Sequence, residues 1–274
     1  MPNDLIAAPN PVLAPGLAPG LATPRTDAAT PDSLGIDRDF VMQMARMPLL
    51  AVLWVAASIA VHHIWNAVAP VGTINYAPVI VICFGMILAA VIDGWAYKVP
   101  NWVTMPLVLS GWLLGLSHDL GWAWVDSGTG GIESALWGTF MGFGLLFPIL
   151  AIGGVGAGDV KMQMGFGAWV GAYFGPGEAT GLHWSNVLLW SFFCGAIAGG
   201  IFGMAMILIR RQFKNNASMV SEIFMDLQMF MSGQGTMASK RATDRRSKWV
   251  KLPYGIPLCV GFLGYLWYVL ILGS

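Results

Sequence analysis

Residues 151–175 read AIGGVGAGDVKMQMGFGAWVGAYFG, a glycine-dense run that sets a single carboxylate, Asp159, between two apolar segments. Read only as a loop, this stretch leaves the chain with six long hydrophobic segments. Read as a turn at 154–161 followed by a short, glycine-interrupted span over 162–181, it makes seven. The parity of the whole chain depends on that choice.

The composition makes spans the right unit of description. Of the 274 residues 56% are hydrophobic and 10% charged, against about 25% charged in soluble domains, which identifies a polytopic membrane protein. A spanning helix needs about 20 mostly apolar residues. The stretches 47–69, 76–97, 102–122, 134–153, 162–181, 186–209 and 253–273 come near that length. The predicted fold class is therefore all-α, a polytopic membrane protein with about seven transmembrane helices (six to eight).

Charge sorting tests the count. With seven spans and a cytoplasmic N-terminus, all 14 Lys and Arg fall in inner segments: the N-terminal arm, the turns at 98–101 and 154–161, and the connection 210–252. The outer loops then hold only acids, Asp119, Asp126, Glu133 and Glu178. One helix more or fewer would scramble this arrangement, so the positive-inside rule supports both the number and the direction.

Outside the spans, residues 1–45 are rich in Pro and Ala (APNPVLAPGLAPGLATP) and lack a signal-peptide pattern, which predicts a disordered cytoplasmic tail. Residues 46–274 form the membrane domain. Within it, SMVSEIFMDLQMFM in the loop 210–252 has apolar residues at helical spacing, suited to an amphipathic helix on the inner leaflet. The basic stretch SKRATDRRSKWVK reads as a topology-enforcing inner loop. Cys83, Cys194 and Cys259 are far apart in sequence, each inside an apolar run, which argues against a disulfide framework and a zinc site. A zero net charge gives no reason to expect nucleic acid.

Two acids fall at the inner ends of spans. Asp93 lies near the end of the second, in ILAAVIDGWAYKVPNWVT, and Asp159 at the start of the fifth. The topology, which follows from hydropathy and the placement of Lys and Arg alone, brings them to one membrane face. Carboxylates that approach each other in a low dielectric cannot both ionise and tend to share one proton. Such a dyad suits aspartic peptidase chemistry without metal or organic cofactor. Gly154, Gly156 and Gly158 would let the chain unwind at the helix entrance and admit an extended peptide. Gly167, Gly171 and Gly175 repeat at the small-residue spacing of close helix pairs, a face that would hold Asp159 against the helix carrying Asp93. A rival reading is a proton- or ion-coupled transporter using Asp93 and Asp159 as a relay. Such sites usually lie at the bilayer midplane between repeats, and no repeat is visible here. His62 and His63 fall in the outer half of the first span, away from the dyad, as packing or interfacial residues.

These residues resemble the type IV prepilin leader peptidases, bacterial membrane aspartic peptidases. The likeness rests on an Asp followed seven residues later by Pro-Asn (Asp93, Pro100, Asn101) and on Gly-x-Gly-Asp-Val-Lys (Gly156, Gly158, Asp159, Val160, Lys161). A weaker match is LPYGIPL, 252–258, at the start of the last helix. The resemblance implies that Asp93 and Asp159 are catalytic, with Gly156, Gly158, Lys161, Pro100 and Asn101 in support. It implies prepilin or pseudopilin substrates with short basic leaders, cut at the cytoplasmic face of the bacterial inner membrane for pilus assembly or related secretion. No paired-cysteine insertion is present, so the methyltransferase activity of larger members is not expected, and the peptidase-only members serving tight-adherence pili are the closer match. Many members carry a basic residue two positions after the first Asp, where this chain has Trp95, with Lys98 the nearest substitute.

Overall fold

The computed structural model describes residues 38–70, 72–122, 128–151, 154–177, 181–209, 225, 228, 229, 232 and 253–272. The chain divides into two units, Met1–Arg38 and Asp39–Ser274, and the account below concerns the second. Residues 1–37 lie outside the described residues. So does the amphipathic segment expected within 210–252, apart from four isolated positions.

The described residues form seven α-helices and no strand: α1 Arg38–Val68, α2 Ala77–Ala96, α3 Asn101–Asp119, α4 Ile132–Ala151, α5 Ala157–Phe174, α6 Trp184–Ile209 and α7 Gly255–Trp267, the last continued by a π-helical turn, Tyr268–Leu272. Helix α1 takes in residues 38–45, which the sequence reading assigned to the tail. Among the described residues four stretches are long and apolar enough to cross a membrane: Met44–Val68, Ala77–Ala96, Ile132–Ala151 and Trp184–Met206. Gly255–Leu270 is a shorter apolar helix.

Helix α5 falls outside that group for a physical reason. Fourteen of its 18 residues are buried by other helices, so little of its surface needs to match lipid, and Gly, Gln and charged residues become tolerable there. Trp169 of α5 donates its indole N–H to Leu107 O at 2.9 Å and Ser110 Oγ at 3.0 Å on α3. Tyr173 donates its hydroxyl to Asn75 O at 3.0 Å, in the link before α2. Both large polar rings therefore satisfy their single donors while burying their faces.

Glycines set the distances between helices. A Cβ on Gly167 would stand 2.1 Å from Gly138 O on α4, and one on Gly171 would stand 2.1 Å from Ser134 O. The small-residue face of α5 thus packs on α4, not on α2 as the sequence reading expected. Gly167 and Gly171 lie eight and twelve residues from Asp159, which at 3.6 residues per turn turns their face roughly 80–120° away from it. On the other side of the bundle, a Cβ on Gly261 of α7 would stand 2.0 Å from Gly195 N on α6. Such contacts admit only glycine.

Candidate functional site

The site grows from the ends of four elements. Pro78 opens α2 in its first turn, where a missing N–H costs nothing. The helix stops at Tyr97, which adopts a left-handed conformation (φ 51°) and returns its N–H to Asp93 O at 2.8 Å. Three residues later Pro100, with φ −74° and ψ 149°, is the N-cap of α3, and Asn101 is its first residue. The turn 97–100 is therefore pinned at both ends, and Asp93 sits one helical turn before it, 5% exposed.

Asp159 is equally buried, at 5% exposure. Helix α5 begins at Ala157, five residues earlier than the sequence reading placed its span, so Asp159 lies in the first turn of the helix. Its Oδ2 accepts the N–H of Gly156, the N-cap residue, at 2.9 Å. This is the acidic half of a capping box, and Gly156 has no side chain to supply the other half. Gly154, Gly156 and Gly158 do not take positive φ angles, which occur among glycines only at 72, 121, 175, 177 and 181 of the described residues. Space is what they provide. A Cβ on Gly156 would stand 3.1 Å from Asp159 Oδ2, one on Gly154 would stand 2.7 Å from Ile149 Cγ2, and one on Gly158 would stand 3.2 Å from both Val99 N and Val99 Cβ. Gly158 itself is helical, so of the expected unwound entrance only residues up to Gly156 lie outside α5.

The close fit of Gly158 to Val99 brings the start of α5 against the α2–α3 turn. Lys161 and Asn101 tie the same two ends together at the surface, Nζ donating to Asn101 Oδ1 at 2.8 Å. Lys161 thus reaches α3 and not open solvent alone. Trp95 is 89% exposed, so the position two residues after Asp93 faces outward from the bundle.

A third segment reaches the carboxylate of Asp93. Gly255, the first residue of α7, donates its N–H to Asp93 Oδ2 at 2.8 Å, and a Cβ there would stand 2.9 Å from the same oxygen. The preceding residue, Tyr254, lies within electrostatic range of Asp159. One dipeptide therefore bridges the neighbourhoods of the two acids. In the sequence LPYGIPL is only a weak match at the start of the last helix, with no role attached to it. The available signal was a Gly placed where an apolar helix begins, next to an aromatic residue with a polar tip.

The remaining singled-out residues lie elsewhere. His62 is buried at 4% exposure and meets Asn75 through Nδ1 at 2.9 Å and Asn66 through Nε2 at 3.0 Å. Asn75 lies in the link before α2, at the opposite end of that helix from Asp93.

Two buried acids thus each accept a backbone N–H, with Gly156, Gly158 and Gly255 making close approaches around them. Residues 80–204 match the model of the type IV leader peptidase family, a stretch that begins in α2, contains Asp93 and Asp159 and closes in α6. No curated protein and no solved structure matches the chain.

Proposed function

We infer from the match of residues 80–204 to the type IV leader peptidase family that the chain is one of these proteases. On that premise we propose that it is an aspartic endopeptidase that removes the short basic leader of prepilin-like proteins at the cytoplasmic face of a bacterial inner membrane, with Asp93 and Asp159 as the catalytic pair. The observation that carries the proposal is the burial of both acids with one oxygen of each held by a backbone N–H, Asp159 by Gly156 and Asp93 by Gly255 at the entrance of α7.

In the proposed reaction the two carboxyls hold one proton between them. The ionised member takes a proton from water, whose oxygen attacks the scissile carbonyl carbon. The neutral member gives its proton to the carbonyl oxygen, and a tetrahedral diol forms. As the C–N bond breaks, a proton passes to the departing amine and the pair regains its shared proton. Gly156 N–H and Gly255 N–H each hold one oxygen of one acid and so fix the orientation of its carboxyl group. Proton transfer by positioned groups contributes about 10²–10⁴ in rate.

The substrate geometry agrees with this placement, since a leader that meets an apolar helix at the membrane surface presents its scissile bond at the level of the two acids. The family match also favours hydrolysis over the ion relay. Co-expression with a candidate prepilin tests the proposal, leader removal being read as a gel shift. Wild type should cleave, and Asp93→Ala and Asp159→Ala should each abolish cleavage. An uncut substrate with wild type, or cleavage by both variants, would end the proposal.

A further inference from the structure

Among the described residues four buried side-chain atoms have no hydrogen-bond partner: Trp65 Nε1, Thr104 Oγ1, His118 Nε2 and Gln163 Nε2. Gln163 differs from the others in lying on α5, one helical turn beyond Asp159. It is 2% exposed. A buried amide donor left unpaired costs about 1–3 kcal/mol, and native proteins rarely keep one without a use.

The direction of Gln163 follows from its helix. Asp159, Gln163, Phe166 and Val170 are spaced i, i+4, i+7 and i+11, one stripe of α5. Phe166 packs against Phe262 of α7, ring centroids 3.7 Å apart. Val170 lines a small cavity with Val79 and Ile82 of α2 and Leu266 of α7. The stripe therefore faces the seam between α2 and α7, and Gln163 stands on the α4 side of that seam, its backbone carbonyl against Gly142, about 5–6 Å further along the helix axis than Asp159. At the matching level α2, which runs the other way, is one turn before Asp93 and offers Ala89 and Ala90, both buried and small.

We propose that Gln163 is a substrate-binding residue whose carboxamide N–H donates to no partner in the resting protein because its acceptor is a backbone carbonyl of the substrate. The proposal rests on the peptidase reading above. A peptidase cannot cut a bond inside an intact helix. It must first draw out the turn at the junction of leader and apolar segment, and each residue drawn out strips a carbonyl of its i+4 N–H. In water those carbonyls would be solvated, but at membrane depth each needs a donor from the protein. The carbonyls on the apolar side of the scissile bond run from the dyad toward the middle of the bilayer, one turn deeper, where Gln163 presents a donor and has nothing else to give it to.

Full-length protein in lipid vesicles, a membrane-embedded prepilin and the variant Gln163→Leu test this. Because the contact forms only once the turn is drawn out, kcat should fall roughly tenfold with KM little changed. The Tm should hold or rise, since Leu removes an unpaired amide. A second substrate with two glycines in the first turn of its apolar segment is already unwound when bound, and with it the same loss should move from kcat to KM. Cleavage by Gln163→Leu at the wild-type rate would overturn the proposal. So would a loss that follows a lowered Tm and falls alike on kcat for both substrates, since Gln163 would then act through folding. Wild type that cuts neither substrate sinks the peptidase reading itself, and this proposal with it.

Discussion

The two faces of α5 are built on opposite principles. Toward α4, Gly167 and Gly171 bring backbone against backbone so closely that a single added methyl would overlap a carbonyl oxygen. Toward α2 and α7 the same helix sets out Asp159 and Gln163, one taking an N–H from its own N-cap and the other holding a donor without an acceptor. One face spends its sequence on contact, the other withholds contact. Substitutions on the α4 face should therefore change stability and activity together, while those on the α2–α7 face should separate them.

The largest separation is expected at the acids. Asp159→Asn keeps an oxygen for the Gly156 N–H, and Asp93→Asn keeps one for Gly255, so both variants should fold with Tm near that of wild type. Neither can share a proton with its partner, and cleavage should fall by at least about a thousandfold. Measured Tm and leader-removal rates check this; a large Tm loss in either variant would mean that the acids hold the bundle together and would erase the contrast between the faces.

Gly167→Ala probes the other face. Its Cβ would stand 2.1 Å from Gly138 O, with Gly138 C at 2.7 Å, so α4 and α5 must part. A cost of about 1–3 kcal/mol or more follows, as for other overpacked interiors. Thermal unfolding in detergent should show a lowered Tm, with activity lost in proportion. Unchanged Tm would show that this interface yields more easily than its geometry implies.

Gly255→Ala sits between these extremes. The added methyl meets Asp93 Oδ2 at 2.9 Å and Asp93 Cβ at 3.0 Å, displacing the acid while leaving α7 a better helix former. The expected result is a fall in kcat of about tenfold with little change in Tm, because small misplacements at a reacting centre are costly there and cheap elsewhere. A drop in Tm without loss of rate would assign Gly255 to packing alone.

This contrast explains what could be read from the sequence. The helices were legible because lipid exposure forces about 20 apolar residues in a row, and α1, α2, α4 and α6 follow that rule. Helix α5 was legible only through parity, since its neighbours bury it and its own hydropathy carries little information. Asp93 and Asp159 stood out as acids at span ends. The partner of the Gly167–Gly171 face was not legible, because the spacing says that some helix comes close and does not say which. The role of Gly255 was equally hidden, since its backbone N–H reaches an acid 162 positions away and local pattern carries no trace of a contact at that range. Gln163 reads in sequence as one more residue of a weak span, because its burial leaves no mark on the local pattern.

The smallest effect is expected at Lys161, where the two principles meet. Its ammonium joins α5 to Asn101 on α3 at 2.8 Å, but at the surface, where water can replace the bond. Lys161→Met should therefore cost less than about 1 kcal/mol of stability. If the residue only fastens the two helix ends, kcat and KM should both stay near wild type, and Asn101→Ala should match it. If the positive charge also serves the neighbouring acid Asp159, the pH profile of cleavage should shift upward in Lys161→Met and stay put in Asn101→Ala, because removing a cation makes a nearby carboxyl harder to ionise. A common shift in both variants would instead tie the profile to the hydrogen bond, and would place Lys161 with the contacts that build the bundle, not with the groups held ready for a substrate.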